Sequence, residues 1–141
     1  MRLKSEIWVK AYIRRCAVAG AAAVVVKHGD DDAGAIYIRI SRLDGHAALF
    51  GPAPAGLSGA DFDRRWVSLL GENFVTEAEV QSYLDREARF DSDLWIVEVE
   101  DRQGRHFLGD DLLSGDRLGG GRLGGGTLGG GTLGGGRLDD D

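Results

Sequence analysis

The densest set of potential ligand atoms in the chain is His28-Gly29-Asp30-Asp31-Asp32. One imidazole and three carboxylates within five residues suit a hard divalent cation such as Mg²⁺, Ca²⁺ or Mn²⁺, and the histidine extends the choice to Zn²⁺. His28, Asp30 and Asp32 are therefore the candidate metal ligands. Two features weigh against them. Neighbouring carboxylates seldom all converge on one ion. The calcium-loop pattern D-x-D-x-D-G also fails, because Gly34 and Ala35 occupy its fifth and sixth positions. The competing expectation is a solvated acidic turn between two strands, where Asp and Gly are favoured on conformational grounds.

Other reactive side chains lack the company that chemistry needs. Cys16 lies close to Arg14 and Arg15, and cations favour thiolate. A nucleophile also needs a positioned base, and His28, His46 and His106 are scattered along the chain. None is three or four residues from another, so they do not make a zinc site by spacing. Cys16 is expected to pack in the core. Ser58 in Leu57-Ser58-Gly59 lacks the G-x-S-x-G elbow. Glu98 and Glu100 share one strand face and form a conceivable acid/base pair, but such pairs more often mark the solvated face of a sheet. No motif specifies a reaction, no cofactor is implied, and the expectation leans away from an enzyme.

The surface offers a different role. Gly51 to Gly59 is an apolar loop holding both prolines, and Pro52, Pro54 and Leu57 are its candidate partner-binding residues. The first helical segment is a second candidate for engaging another protein; Lys4, Lys10, Arg14 and Arg15 on it would add a basic patch to an RNA contact, against the stronger expectation of a solvated helix face. Trp8, Trp66 and Trp95 fall in three separate elements and are expected in one core. If Trp8 or Trp66 stood exposed beside the loop, it would become a partner-binding anchor.

The last 25 residues are five pentads, Arg-Leu-Gly-Gly-Gly giving way to Thr-Leu-Gly-Gly-Gly and ending Arg-Leu-Asp-Asp-Asp. Gly119, Gly121 and Gly124 fit G-x-G-x-x-G, but a dinucleotide fingerprint needs a preceding strand and a following helix, and here there is neither. Arg among Gly also occurs in RNA-contacting segments, but three Arg without aromatics make a weak version. Triple glycine is costly to order. Residues 117–141 are therefore expected to be a disordered, low-complexity tail, and residues 1–116 a single domain. The tail's three Arg and three Asp cancel, so the net charge of −6 belongs to the domain. Such acidity disfavours general binding to nucleic acid or to an anionic membrane. A single cysteine excludes an internal disulfide and suits a reducing compartment. The apolar run Ala17 to Val26 is too short to span a bilayer and lacks a cleavage site, so the chain is expected in the cytoplasm. Its oligomeric state is not legible.

Elements follow from periodicity. Val9, Ile13, Cys16, Ala17 and Gly20 share a helical face over Ser5 to Gly20, with Ser5 as cap and Gly20 as a left-handed stop. The alternation of Ile7, Val9, Ala11 and Ile13 would suit a strand instead, but it fails beyond Ile13. Ala22 to Lys27 contains Val24-Val25-Val26, expected to be a strand buried on both faces. Ala35 to Arg42 alternates, Asp44-Gly45 signals a hairpin, and Ala47 to Phe50 is the third strand of an antiparallel meander. Phe62 to Leu70 suggests a short helix, although Trp66 to Leu70 also suits a strand. Thr76 and Glu79 form a capping box before a helix presenting Val80, Tyr83, Leu84 and Ala88. Leu94 to Glu100 is a strand, and Arg105 to Leu108 is expected to pair back onto it. The fold class is α+β: N-terminal helix, antiparallel meander, one or two further helices, C-terminal strand or hairpin, with helices covering one sheet face.

The stretches LKSEIWVKAYIRRC, GAIYIRISRLDGHAALFGPAP and FDSDLWIVEVEDRQGRHFL resemble a family of small bacterial proteins, the domain-of-unknown-function family numbered fourteen ninety-one. The resemblance covers roughly residues 1–108, and Leu-Trp-Ile-Val-Glu-Val-Glu is its most specific part. It implies a single-domain cytosolic protein. It carries over no activity, cofactor or catalytic residue, and the pentad tail lies outside it.

Overall fold

Asp44 and Gly45 turn the chain between strand β2 (Ile36–Ser41) and strand β3 (His46–Pro52), which pair antiparallel from Ile38↔Phe50 to Ser41↔Ala47. Gly45 has φ +91°, and Asp44 Oδ1 accepts from the His46 amide at 3.0 Å. The structure, a computed structural model, describes residues 3–54 and 64–113. The described helices and strands lie within the compact unit Met1–Asp111.

Helix α1 (Ser5–Val18) starts the chain, and strand β1 (Ala22–Lys27) follows it. Beyond β3 come the short strands β4 (Trp66–Ser68) and β5 (Val75–Thr76), helix α2 (Glu77–Phe90) and strand β6 (Trp95–Glu100). Of the two expectations for Trp66 to Leu70, the strand is the one observed. Phe62 lies outside the described residues. α2 begins as expected: Thr76 Oγ1 accepts from the Glu79 amide, and the Glu79 carboxylate accepts from the Thr76 amide. These bonds satisfy two amides at the helix start that lack helical partners. Val80 and Leu84 are buried against Ala47, Leu49, Leu94 and Ile96, with Tyr83 and Ala88 packed beside them.

The α+β class holds, but the sheet is mixed and is not a meander. Its order is β1-β6-β2-β3-β4, with β5 also on β3. β6 inserts between β1 and β2, antiparallel to the first and parallel to the second. The cause lies in composition. Trp95, Val97 and Val99 are buried on one face of β6 and Ile96 on the other, so β6 takes an interior place in the sheet. β1 is displaced to the edge.

The helices cover opposite faces of the sheet, where one covered face was expected. Ile36, Ile38 and Ile40 share a face with Trp95, Val97, Val99 and Phe50 by register. α1 lies on that side. Its Trp8 ring sits 4.8 Å from Trp66, which pairs with Pro52 on the Phe50 face. Tyr37, Arg39 and Ser41 face the other way and bond α2 through Glu87, Gln81 and Glu77.

α1 buries Ser5, Val9, Tyr12 and Cys16. Val9 and Cys16 were expected there. Ile13 is only half-buried, and Ala17 and Gly20 are exposed. The shift follows from satisfied polar tips: Tyr12 donates to His106 O at 2.7 Å and Ser5 Oγ donates to Gly34 O at 2.7 Å. Ser5 thus serves as a tether, while Lys4 holds the cap position without a side-chain bond. Gly20 closes the helix with φ +90° as expected.

Arg105 to Leu108 does not pair with β6. Asp101 turns the chain away, accepting from the Arg105 amide at 2.8 Å and from its guanidinium at 2.8 and 3.0 Å. Those bonds hold the Asp101 carboxyl below the usual carboxylate range.

Candidate interaction surface

The acidic turn is built into the frame. Asp31 O and Asp32 O accept from the Glu6 and Ser5 amides, at 3.0 and 3.2 Å, and so satisfy the first turn of α1. On its other side, the Asp30 amide donates to Asp93 O at 2.9 Å, and Trp95 Nε1 donates to Asp30 O at 2.8 Å. The turn therefore locks the start of α1 to the start of β6.

Its side chains do not converge. Asp30 Oδ2 accepts from the amides of Asp32 and Ala33, an Asx turn. His28 Nε2 meets Asp31 Oδ1 at 2.7 Å, and its ring packs 4.0 Å from Trp95. Asp32 faces Lys4 at 3.6 Å. The structure thus gives His28, Asp30 and Asp32 three different partners. Among the described residues no group of three His, Cys, Asp or Glu side chains is placed to hold a metal ion.

Cys16 is buried, and burial raises its thiol above the usual range. His106 is half-buried, which lowers its pKa, and its Nδ1 accepts from the Leu108 amide at 2.9 Å. Among the described residues neither forms a nucleophile–base pair. Glu98 and Glu100 part company: Glu98 closes on Arg39 at 2.5 Å, and Glu100 is exposed. Trp66 and Trp95 are core residues, and Trp8 stacks 5.0 Å from Tyr12 beside them.

Pro52 and Pro54 are exposed at the end of β3, where the Ala53 amide donates to Arg65 O. Leu57 and most of its loop lie outside the described residues.

The feature the sequence hid is the edge of the sheet. Val24, Val25 and Val26 are 58%, 39% and 51% exposed, which overturns the expectation of a strand buried on both faces. Among the described residues β1 has a neighbour, β6, on one side only. In an antiparallel pair alternate residues turn their N–H and C=O away from the partner, so an edge presents unsatisfied main-chain groups. Natural edges are usually guarded by Lys, Pro or a bulge. β1 has a register break between Val25 and Lys27, at its far end only. Its one charge, Lys27, bends back to donate to Ser92 O at 2.6 Å and Leu94 O at 3.3 Å. Among the described residues, Ala22 to Val25 is thus a regular, uncharged, open stretch. The β-branched run was the available signal; what it could not tell is whether both neighbours exist.

Among the described residues no helix is long and apolar enough to cross a membrane. The family described as "Protein of unknown function (DUF1491)" matches residues 3–109. No curated protein matches. Among solved structures, a DUF1491 family protein from Caulobacter crescentus is similar in its crystal form, with 39% identity and TM-score 0.66 over 81% of this chain and 100% of that one. The NMR structure of a DUF1491 family protein from the same organism is 42% identical, TM-score 0.66, over 81% and 99%. Protein Atu0922 from A. tumefaciens is 45% identical, TM-score 0.62, over 71% and 86%.

Proposed function

The chain belongs to the DUF1491 family, and from that premise we propose that it acts as a non-catalytic protein-interaction module that takes an extended partner segment onto β1. One observation carries this: Val24, Val25 and Val26 lie exposed on a strand edge that is open among the described residues. An added strand satisfies the outward main-chain groups, each hydrogen bond contributing about 1 kcal/mol net. The valines offer exposed apolar side chains on alternate faces, Val25 beside Val97 and Val24 beside Glu98 by register.

The absence of any nucleophile–base pair among the described residues supports the same reading. So does the use of the acidic turn as a structural clamp.

Crosslinking mass spectrometry in lysate, on the full chain at endogenous level, tests the proposal. Wild type is compared with the double substitution Val24→Lys and Val26→Lys, which places charges on the edge. The expected result is a reproducible set of partners in wild type that disappears in the variant. Identical partner sets, or no reproducible partner in wild type, would overturn it.

A further inference from the structure

α1 is apolar on two opposite sides. At about 100° per residue, Ile7, Ala11 and Val18 fall on the side away from the buried Val9, Tyr12 and Cys16. Ala11 is exposed, Ile7 is 48% exposed and Val18 84%, and Leu3, 50% exposed, continues the line before the helix. A helix that needed only to cover the sheet would carry polar residues there.

Cations border the stripe. Residues 1–20 contain Arg2, Lys4, Lys10, Arg14 and Arg15 against a single carboxylate, Glu6, giving net +4 on a chain of net −6. Lys4 and Lys10 lie 3.6 and 3.3 Å from Asp32 and Glu6, in exposed pairs that cost little to exchange. Arg14 is exposed, and its side chain has no ion pair or hydrogen bond among the described residues. The positive charge is therefore local and set around apolar side chains, while the rest of the molecule is acidic.

We propose that this outer face of α1 docks an acidic amphipathic helix of another protein, whose apolar stripe meets Ile7, Ala11 and Val18 and whose flanking carboxylates meet Lys10 and Arg14. The site is separate from the edge of β1 and goes beyond the role assigned to that strand. Charge decides the occupant. A second copy of this helix would set like charges against each other, which is costly across an interface. An anionic membrane would have to approach a molecule of net −6 through a stripe without aromatic anchors. An acidic helix matches both the ridge and the sign, as in helix-in-groove recognition.

The test uses the full chain and two stapled, fluorescein-labelled helical peptides. Both carry Leu at the i, i+4, i+7 and i+11 positions; one has Glu at the flanking positions, the other Lys. Anisotropy should show the Glu peptide binding at least about tenfold tighter, with the margin shrinking as salt rises. The double substitution Ile7→Glu and Val18→Glu should abolish binding. Arg14→Glu, which leaves the apolar stripe intact, should erase the preference between the peptides. Val24→Lys with Val26→Lys should leave both affinities unchanged, which separates this site from the strand edge. Equal affinity for the two peptides, or binding of neither, would overturn the proposal. So would a dimer in sedimentation that Ile7→Glu dissolves, or preferential binding to phosphatidylserine vesicles.

Discussion

Arg39 and Glu98 stand opposite each other across the parallel β2–β6 pair and close to 2.5 Å. The side chains are only 11% and 24% exposed, and the other Arg39 terminal nitrogen donates to Gln81 on α2 at 2.8 Å. One ion pair thus joins two strands and a helix. Removing the carboxylate leaves a largely buried guanidinium without its anion. Glu98→Ala should cost roughly 1.5–3 kcal/mol of unfolding free energy, while Glu100→Ala, in solvent, should change it by less than about 0.5 kcal/mol. Urea denaturation of both variants reads the difference; equal losses would contradict the pairing.

Acid should destabilise the fold in two separate windows. Burial lowers the pKa of His106, so the unfolded chain takes up that proton first and stability falls once the pH drops below about 6.5. Protonation also removes the Nδ1 acceptor from the Leu108 amide. Asp101 is held below the carboxylate range by Arg105, so its contribution is present at neutral pH and is lost as pH falls below about 4. Melting temperatures across the pH range should show His106→Gln flattening the first decline and Asp101→Asn the second. An unchanged profile in both variants would refute this assignment.

Cys16 should be chemically silent in the native protein. Its side chain is fully buried, and burial raises the thiol pKa, so little thiolate is available. Iodoacetamide should label it only as fast as the chain unfolds, with labelling accelerated by urea. Rapid native alkylation would show that α1 opens from the sheet.

The acidic turn should behave as a clamp. Asn supports the same Asx turn as Asp, so Asp30→Asn should leave the melting temperature nearly unchanged, whereas Asp30→Ala should lose about 1 kcal/mol. Gly34 is stricter: a Cβ there would strike Asp93 O and come within 2.8 Å of the Asp30 amide nitrogen. Gly34→Ala should therefore cost about 1–3 kcal/mol. Chemical denaturation of the three variants checks this order, and a large loss in Asp30→Asn would show that the carboxylate itself matters.

What was legible in the sequence was local. Asp44-Gly45, the Thr76/Glu79 box and the alternation of Ile36, Ile38 and Ile40 each depend on residues a few positions apart, and each appears in the fold. Strand order was not legible, because β6 joins β1 and β2 through contacts tens of residues distant. That one insertion changes the meaning of Val24-Val25-Val26 from core to edge. Polar tips misled in another way. Ser5 and Tyr12 sit on the buried face of α1 because distant carbonyls at Gly34 and His106 receive them, and no periodicity encodes a partner 94 residues away. The ligand-rich turn read as possible chemistry because its carboxylates are adjacent; its main-chain bonds to α1 and β6 have no signature in residue type.

Hydrogen exchange at single amides bears most directly on the central claim, that β1 receives an extended segment. Exchange is measured on the full chain alone and in the complex recovered by crosslinking. Alternate amides within Ala22–Lys27 should exchange freely in the isolated chain and become protected in the complex, with β3 and β4 unchanged. Protection elsewhere, with Ala22–Lys27 exchanging as before, would contradict the account.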